Sequence, residues 1–211
     1  GDVGAFPGLP SVPVDVSPSD AIENTEASIM VVFDAKKNGH GLFLDFLYSD
    51  VQSDEDVIPE VDLTAKSITK TTIVTAAYEY TFYQEKGTVL DFLAGARYWN
   101  VDSTFKFKGG LGILDGKKVQ HDESWVDPFV GVKGWAPLGD SRLYIAGGAG
   151  VGGFGIGSDQ FYELSANIGY QWNKSIGTAI GYRIFDVDYD DNGFLYDAKQ
   201  AGWQLGLTWS F

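Results

Sequence analysis

The chain has 211 residues, enough for one domain, with 15 Lys+Arg against 29 Asp+Glu and a net charge of −14, which argues against nucleic acid or an anionic membrane surface as an electrostatic partner. Cysteine is absent, which removes disulfides, thiolate metal sites and thiol catalysis, and two histidines leave little for a histidine-built metal site. The 27 Gly and 15% aromatics suit strands and tight turns, and no apolar run is long enough for a transmembrane helix, which leaves a membrane barrel open.

Residues 1–25 carry Pro7, Pro10, Pro13 and Pro18, each of which removes a ladder donor. Only Val12–Ser17 alternates, and Ser19–Asn24 looks like a capped turn of helix. This segment reads as an N-terminal loop or plug, with the barrel over 26–211. Strands are expected near 27–36, 40–50, 66–83, 87–106, 123–137, 141–156, 160–172, 175–189 and 195–211. Short Asn/Asp/Gly/Ser turns join alternate pairs, at Lys37-Asn38-Gly39, Gln84–Gly87, Leu138–Ser141 and Asn173–Ser175. The connections 51–65, 107–122 and 190–195 read as longer polar loops, so one end has tight turns and the other larger loops.

The last three strands show the clearest parity. Tyr162, Leu164, Ala166, Ile168, Tyr170 and Trp172 share one face. Ile176, Ile180, Tyr182 and Ile184 do the same, as do Ala201, Trp203, Leu205, Leu207, Trp209 and Phe211. A soluble barrel also alternates, with its apolar face inward. Here the opposite face carries Gly, Ser, Thr, Gln and Asn with sparse charges, which suits a narrow polar lumen better than a solvated surface. Aromatics border the apolar belt at Tyr162 and Trp172 and at Trp203 and Phe211, as in an interfacial girdle. The expected fold is all-β: an antiparallel transmembrane β-barrel with about nine strands visible, eight to ten in all, short periplasmic turns and longer extracellular loops. A terminal aromatic such as Phe211 looks like a sorting signal of bacterial outer-membrane barrels.

Four stretches carry a family likeness: Leu93–Trp99, Trp125–Gly131, Gly150–Asp159, and Gly181-Tyr182-Arg183 followed by Asp186–Phe194. Together they resemble a family of small Gram-negative outer-membrane β-barrel proteins of OmpA- and OmpW-like architecture, over residues 27–211. The resemblance implies a location in the bacterial outer membrane, no assigned reaction, and a further strand ahead of the segment matching Gly1-Asp2-Val3.

The polar face supplies the candidate site. Asp45, Glu79, Asp91, Arg97, Lys133, Glu163 and Arg183 form an expected lumen charge network, with Asp127 as a further partner. It acts either as a selective constriction or as a salt-bridge plug, and side chains nearly fill a barrel of this size. From Asp188 the sequence reads D-x-D-x-N-G, so Asp188, Asp190 and Asn192 mark a weak Ca²⁺ loop; an EF-hand needs Glu where Lys199 stands, and an acidic Asn-Gly turn is the plainer reading. Asp50, Asp54, Glu55, Asp56, Glu60 and Asp62 form an acidic loop that suits cation bridges to lipopolysaccharide phosphates or simple solvation. His40, and His121 beside Asp122, Glu123 and Ser124, are the candidates for a lipid-modifying enzyme, although neighbours on a strand point to opposite faces. The glycine run 147–157 lacks the helix a dinucleotide fingerprint needs, and its small residues suit room for Phe129, Trp135 or Phe154 inside the barrel.

The leading functional reading is a non-enzymatic outer-membrane barrel, porin-like as a narrow pore or else plugged. A lipid-modifying enzyme and a loop-borne cation, ligand or partner module are the alternatives. Beyond weak Ca²⁺ no cofactor is expected. The expected partners are outer-membrane lipid and lipopolysaccharide, not nucleic acid. Counting back from a final strand that ends in the periplasm, the strand at 27–36 also descends. Either a tenth strand precedes Gly1, with 1–25 an outer loop, or residues 1–25 thread the lumen.

Overall fold

The computed structural model describes residues 2–4, 12–13, 25–58, 63–108, 118–191 and 194–209. All regular structure among them is antiparallel sheet. Two short strands, β1 (Asp2–Gly4) and β2 (Val12–Pro13), precede nine long ones. These are β3 (Thr25–Lys37), β4 (His40–Ile58), β5 (Leu63–Glu85), β6 (Thr88–Lys108), β7 (Lys118–Pro137), β8 (Leu143–Gly153), β9 (Gln160–Gln171), β10 (Ile176–Asp191) and β11 (Phe194–Trp209). The order is β2-β1-β11-β10-β9-β8-β7-β6-β5-β4-β3, so each long strand pairs with its sequence neighbour. The sheet curls until side chains of β3–β5 reach those of β9–β11 across its interior. The nine expected strands are all present, in an all-β barrel-type fold.

Turn chemistry sets the register. Lys37 pairs with His40, and Glu85 with Thr88, leaving two-residue turns Asn38-Gly39 and Lys86-Gly87. All four residues have positive φ, 56° and 79° in the first turn and 50° and 84° in the second. That is the primed hairpin geometry that follows the right-handed strand twist, and glycine enters it without a Cβ clash. At the next turns of this end, Ser141 Oγ takes the Leu143 N–H at 3.1 Å, and Asn173 Oδ1 takes the N–H groups of Ser175 and Ile176 at 2.8 and 2.9 Å.

The opposite end is uneven. β5 and β6 have 23 and 21 residues, whereas β8 and β9 have 11 and 12. Four expectations are corrected here, the first being the loop at 190–195: Asp190 and Asp191 are strand, paired with Leu195 and Phe194. Residues 51–58 and 63–65 are strand, because the polar stretch Gln52–Asp56 continues the ladder opposite Thr64–Ile68. Likewise 118–122 belong to β7, paired with Asp102–Lys106. Polarity marked these as loops, but a sheet edge standing clear of any apolar layer tolerates polar residues on both faces. Conversely β8 stops at Gly153: Gly153, Phe154 and Gly155 all have positive φ (89°, 54° and 70°), which turns the chain.

The two faces follow parity. Outward lie Leu164, Ile168, Ile180, Trp203, Leu205, Leu207 and Trp209, all exposed. Inward lies a buried cluster built on Trp99, Val101, Trp125, Phe129, Phe161, Phe185, Val187, Tyr189, Phe194 and Tyr196. Close approach explains the glycines of β8. A Cβ on Gly150 would overlap the Phe129 ring, and one on Gly152 the Phe161 ring and the Pro128 carbonyl. Phe129 thus uses the room the small residues leave. Phe154 does not: its turn conformation puts it outside, 58% exposed. Trp135 sits partly exposed against Tyr144 at the tight-turn end, ring centroids 5.4 Å apart.

Candidate functional site

The interior is built in three tiers. Nearest the tight turns, β3 brings Asp34 and Lys36, β5 brings Glu79 and Thr81, β6 Asp91 and β7 Lys133. Lys36 Nζ lies 2.8 Å from both Glu79 Oε1 and Asp91 Oδ2. Thr81 donates its hydroxyl to Asp91 Oδ1 at 2.6 Å. Lys133 Nζ stands 2.9 Å from Glu79 Oε2, also pairs with Asp34, and lies 5.0 Å from the centre of the Phe43 ring. Glu79 is therefore completely buried between two ammonium groups. A lone carboxylate there would be costly, and the two flanking lysines offset that cost.

The middle tier holds both arginines. Arg97 Nη2 is 2.9 Å from Glu163 Oε2, and its Nε donates to Thr75 Oγ1 at 2.8 Å. Arg183 Nη2 reaches Glu163 Oε2 and Asp45 Oδ2, each at 2.8 Å. Its Nη1 points to the Met30 sulfur at 2.8 Å. Arg97 also lies 5.0 and 4.6 Å from the ring centres of Phe129 and Phe161 and 5.6 Å from Trp99. Cation–π attraction and a desolvated ion pair act on the same guanidinium.

Above it the aromatic tier stacks. Trp99 and Trp125 lie 5.7 Å apart, Trp125 and Tyr189 3.9 Å, and His121 and Phe194 4.9 Å. These contacts bridge β7 to β10 and β11 where β8 and β9 have already ended. The short β8–β9 turn is drawn into the same place. Ser158 gives its N–H to Asp127 Oδ1 and its hydroxyl to Oδ2, both at 2.6 Å. The Trp125 indole N–H donates to Ser158 Oγ at 2.7 Å, and the Asp159 N–H to the Asp188 carbonyl at 2.9 Å. Burial, with Glu123, Asp191 and Asp127 nearby, pushes the Tyr189 hydroxyl up to about 12.

The seven lumen residues read from the sequence, Asp45, Glu79, Asp91, Arg97, Lys133, Glu163 and Arg183, all lie on the inner face, split between the two charged tiers. Asp127 lies opposite Arg97 in the ladder, but its carboxylate anchors the β8–β9 turn through Ser158 instead of holding an arginine. Sequence reasoning missed Asp34, Lys36, Thr75 and Ser158. The first two share the parity of Met30 and Val32, opposite to Ile29, Val31 and Phe33, and that alternation was the available signal.

The other candidates are dispersed. Asp188 and Asp190 share the outward face of β10 with Asp186, whose carboxylate accepts from Tyr162 OH at 2.9 Å. Burial and the nearby Asp159, Asp197, Asp186 and Asp190 carboxylates raise the Asp188 carboxyl above its usual range. Asn192 lies outside the described residues, and among those described no three His, Asp or Glu side chains gather around a metal position. Asp50 pairs with Lys70 at 3.6 Å, whereas Glu60 and Asp62 and the side chains of Asp54, Glu55 and Asp56 lie outside the described residues. His40 is exposed against Tyr78 and Tyr80 at the tight-turn end. His121 bonds Glu123 at 3.2 Å on the inner face, whereas Asp122 accepts from Asn100 and Ser124 shares that outer parity.

These features define a class: an all-β, barrel-type antiparallel sheet whose interior is filled by fixed ion pairs and stacked rings. No protein-family model, curated protein or solved structure matches the chain.

Proposed function

We propose that this chain is a transmembrane β-barrel of a Gram-negative outer membrane, of the small OmpA/OmpW-like kind, and that it works as a plugged structural barrel without enzymatic activity. The observation that carries the plug is Arg97. It is 1% exposed, held by Glu163 and Thr75, and flanked by three rings, so the middle of the interior is occupied by side chains locked to one another. A conducting constriction needs charges that face water and exchange ions readily. These charges are spent on each other.

The membrane part of the reading is supported by the outward belt of Leu, Ile, Val, Tyr and Trp on consecutive strands. In hydrocarbon every backbone N–H and C=O must be paired within the protein, which a curled sheet of hairpins achieves along all but its edges. The partners are then membrane lipid and lipopolysaccharide. The outward carboxylates Asp186, Asp188 and Asp190 begin where the belt ends, in position for the cation-rich headgroup layer.

Three measurements test this. Purified protein in a planar bilayer is expected to show no steady unitary conductance at neutral pH, and a sustained open channel overturns the plug. On an unheated SDS gel the extracted protein is expected to migrate as a compact species that shifts on boiling. Mass spectrometry of lipid A from cells with and without the gene is expected to show no difference, and a changed acyl pattern would favour the enzyme.

A further inference from the structure

The β8–β9 turn differs from the tight turns of the other end. Those carry polar tips, Asn38-Gly39, Lys86-Gly87, Gly139-Asp140 and Asn173-Lys174, the residue types that turns favour. Between Gly153 and Gln160 the chain instead presents Phe154 and Ile156, and Ile156 is 75% exposed. Phe154 also holds φ at 54°, a left-handed conformation that strains a bulky residue. At a tip standing in water, both features are unfavourable.

The turn is tied down along its inner side. The Gly155 N–H donates to the Ser158 and Asp159 carbonyls and the Ile156 N–H to the Gly153 carbonyl, all at 3.1 Å. Ser158 grips Asp127, and the Asp159 N–H bonds the Asp188 carbonyl of β10. Gly157 lies so close to Trp125, Asp127 and the Val126 carbonyl that a Cβ there would overlap all three. Phe154 and Ile156 are left facing outward.

We propose that this turn is a lipid anchor: it lies at the edge of the hydrocarbon layer with Phe154 and Ile156 among acyl chains, instead of rising into water as an external loop. The inference rests on the membrane-barrel reading. Strand length sets the level. β8 and β9 have 11 and 12 residues, close to the ~9–11 that one tilted membrane strand needs, so they cross the layer with little to spare. The flanking β7 and β10 have 20 and 16 residues and continue past the turn. Val130, Val151 and Tyr162 form one outward row of the apolar belt, and Gly153 follows Val151 by about 7 Å along the strand. Val126, exposed on β7 beyond Val130, carries the belt up beside the turn itself. Phe154 and Ile156 therefore extend an apolar surface that already reaches them on the neighbouring strand.

The chain has no cysteine of its own, so single nitroxide labels can be placed at will. Full-length protein is reconstituted in phosphatidylcholine vesicles with a label at Ile156→Cys, at Leu164→Cys in the belt, or at Asp190→Cys beyond it. Each label is exposed to oxygen, which concentrates in hydrocarbon, and to a water-soluble nickel chelate, which is excluded from it. Nickel collisions are expected to be about fivefold rarer at Ile156 and Leu164 than at Asp190, with oxygen collisions in the reverse order. Phe154→Cys is expected to repeat the Ile156 result, and the heat-modifiable band confirms folding of each variant. If Leu164 is shielded while Ile156 matches Asp190, the turn stands in water and the anchor is overturned, with the membrane barrel intact. If all three labels meet nickel alike, the membrane reading falls and the anchor with it. Shielding of Ile156 that disappears as the protein is diluted in lipid means that a second copy covers the turn, which also overturns the anchor.

Discussion

Arg97 and Glu163 meet across the interior, guanidinium Nη2 to carboxylate Oε2 at 2.9 Å, although β6 and β9 are separated in the sheet by β7 and β8. The same oxygen takes Arg183 at 2.8 Å. One carboxylate therefore ties three strands together through the hollow of the curl, which ladder hydrogen bonds cannot do.

Glu163→Gln is expected to be strongly destabilising. Arg183 keeps Asp45, but Arg97 keeps only Thr75 and the ring faces. Breaking a buried pair on one side costs about 3–5 kcal/mol, because the surviving charge stays desolvated. The expected result is a clear fall in the temperature at which the compact gel species converts to the boiled form. Arg97→Met with Glu163→Leu should recover most of the loss, since it removes both charges together. If Glu163→Gln melts like the parent, the pair does not hold the interior.

Packing around β8 gives a second expectation. Gly152→Ala puts a methyl into the Phe161 ring and a fixed backbone carbonyl, and overpacking of this kind costs about 1–3 kcal/mol. Gly206→Ala meets nothing within 4 Å and is expected to be neutral. Urea titrations of the two variants, run side by side, separate a close-approach glycine from a merely small one.

The acidic end of β10 sets a pH dependence. The Asp188 carboxyl is raised by burial and by the neighbouring aspartates, so its charged form is disfavoured in the folded state. The sign follows: this group costs stability above its folded value and ceases to do so as pH falls through that value, down to the ordinary aspartate range. Asp188→Asn is therefore expected to raise the melting temperature at pH 7 and to leave it unchanged at pH 3. An equal gain at both pH values would show that repulsion is not the cause.

The fold was legible because parity is a direct record of which face a strand residue occupies. Leu205, Leu207 and Trp209 alternate with Gly and Thr, and they stand on the outer face. All seven charges read as lumen residues obey the same rule. What parity cannot carry is the choice of partner: Asp127 lies opposite Arg97 in the ladder, yet its carboxylate is held by Ser158. Nor does polarity distinguish a loop from a strand that stands clear of the apolar belt, and Gln52–Asp56 and Lys118–Asp122 are such strand segments. Asp34 and Lys36 were hidden by a different effect. They sit on β3 among exposed apolar residues, at an edge that no other described strand covers, and their partners Glu79, Asp91 and Lys133 are visible only once the sheet curls.

The membrane reading itself is put at risk by Leu164→Arg. Leu164 is exposed on the outward face, opposite Ile184 on β10 and Ala149 on β8, and the apolar row continues through Val132 and Phe92. On a water-exposed wall an arginine here touches solvent and costs within about ±0.5 kcal/mol, as surface substitutions do. In a bilayer it costs about 2–4 kcal/mol near the midplane, falling toward zero near the interfaces. Leu164 lies one outward position below Tyr162, whose hydroxyl bonds Asp186 at the upper limit of the belt, so a penalty between those two limits applies. Equilibrium unfolding in lipid vesicles is the measurement. Asp190→Arg, beyond the belt on the same outward parity, serves as the control and is expected to be tolerated. Equal tolerance at the two positions would remove the hydrocarbon from the outer wall and, with it, the reason this sheet needs to close.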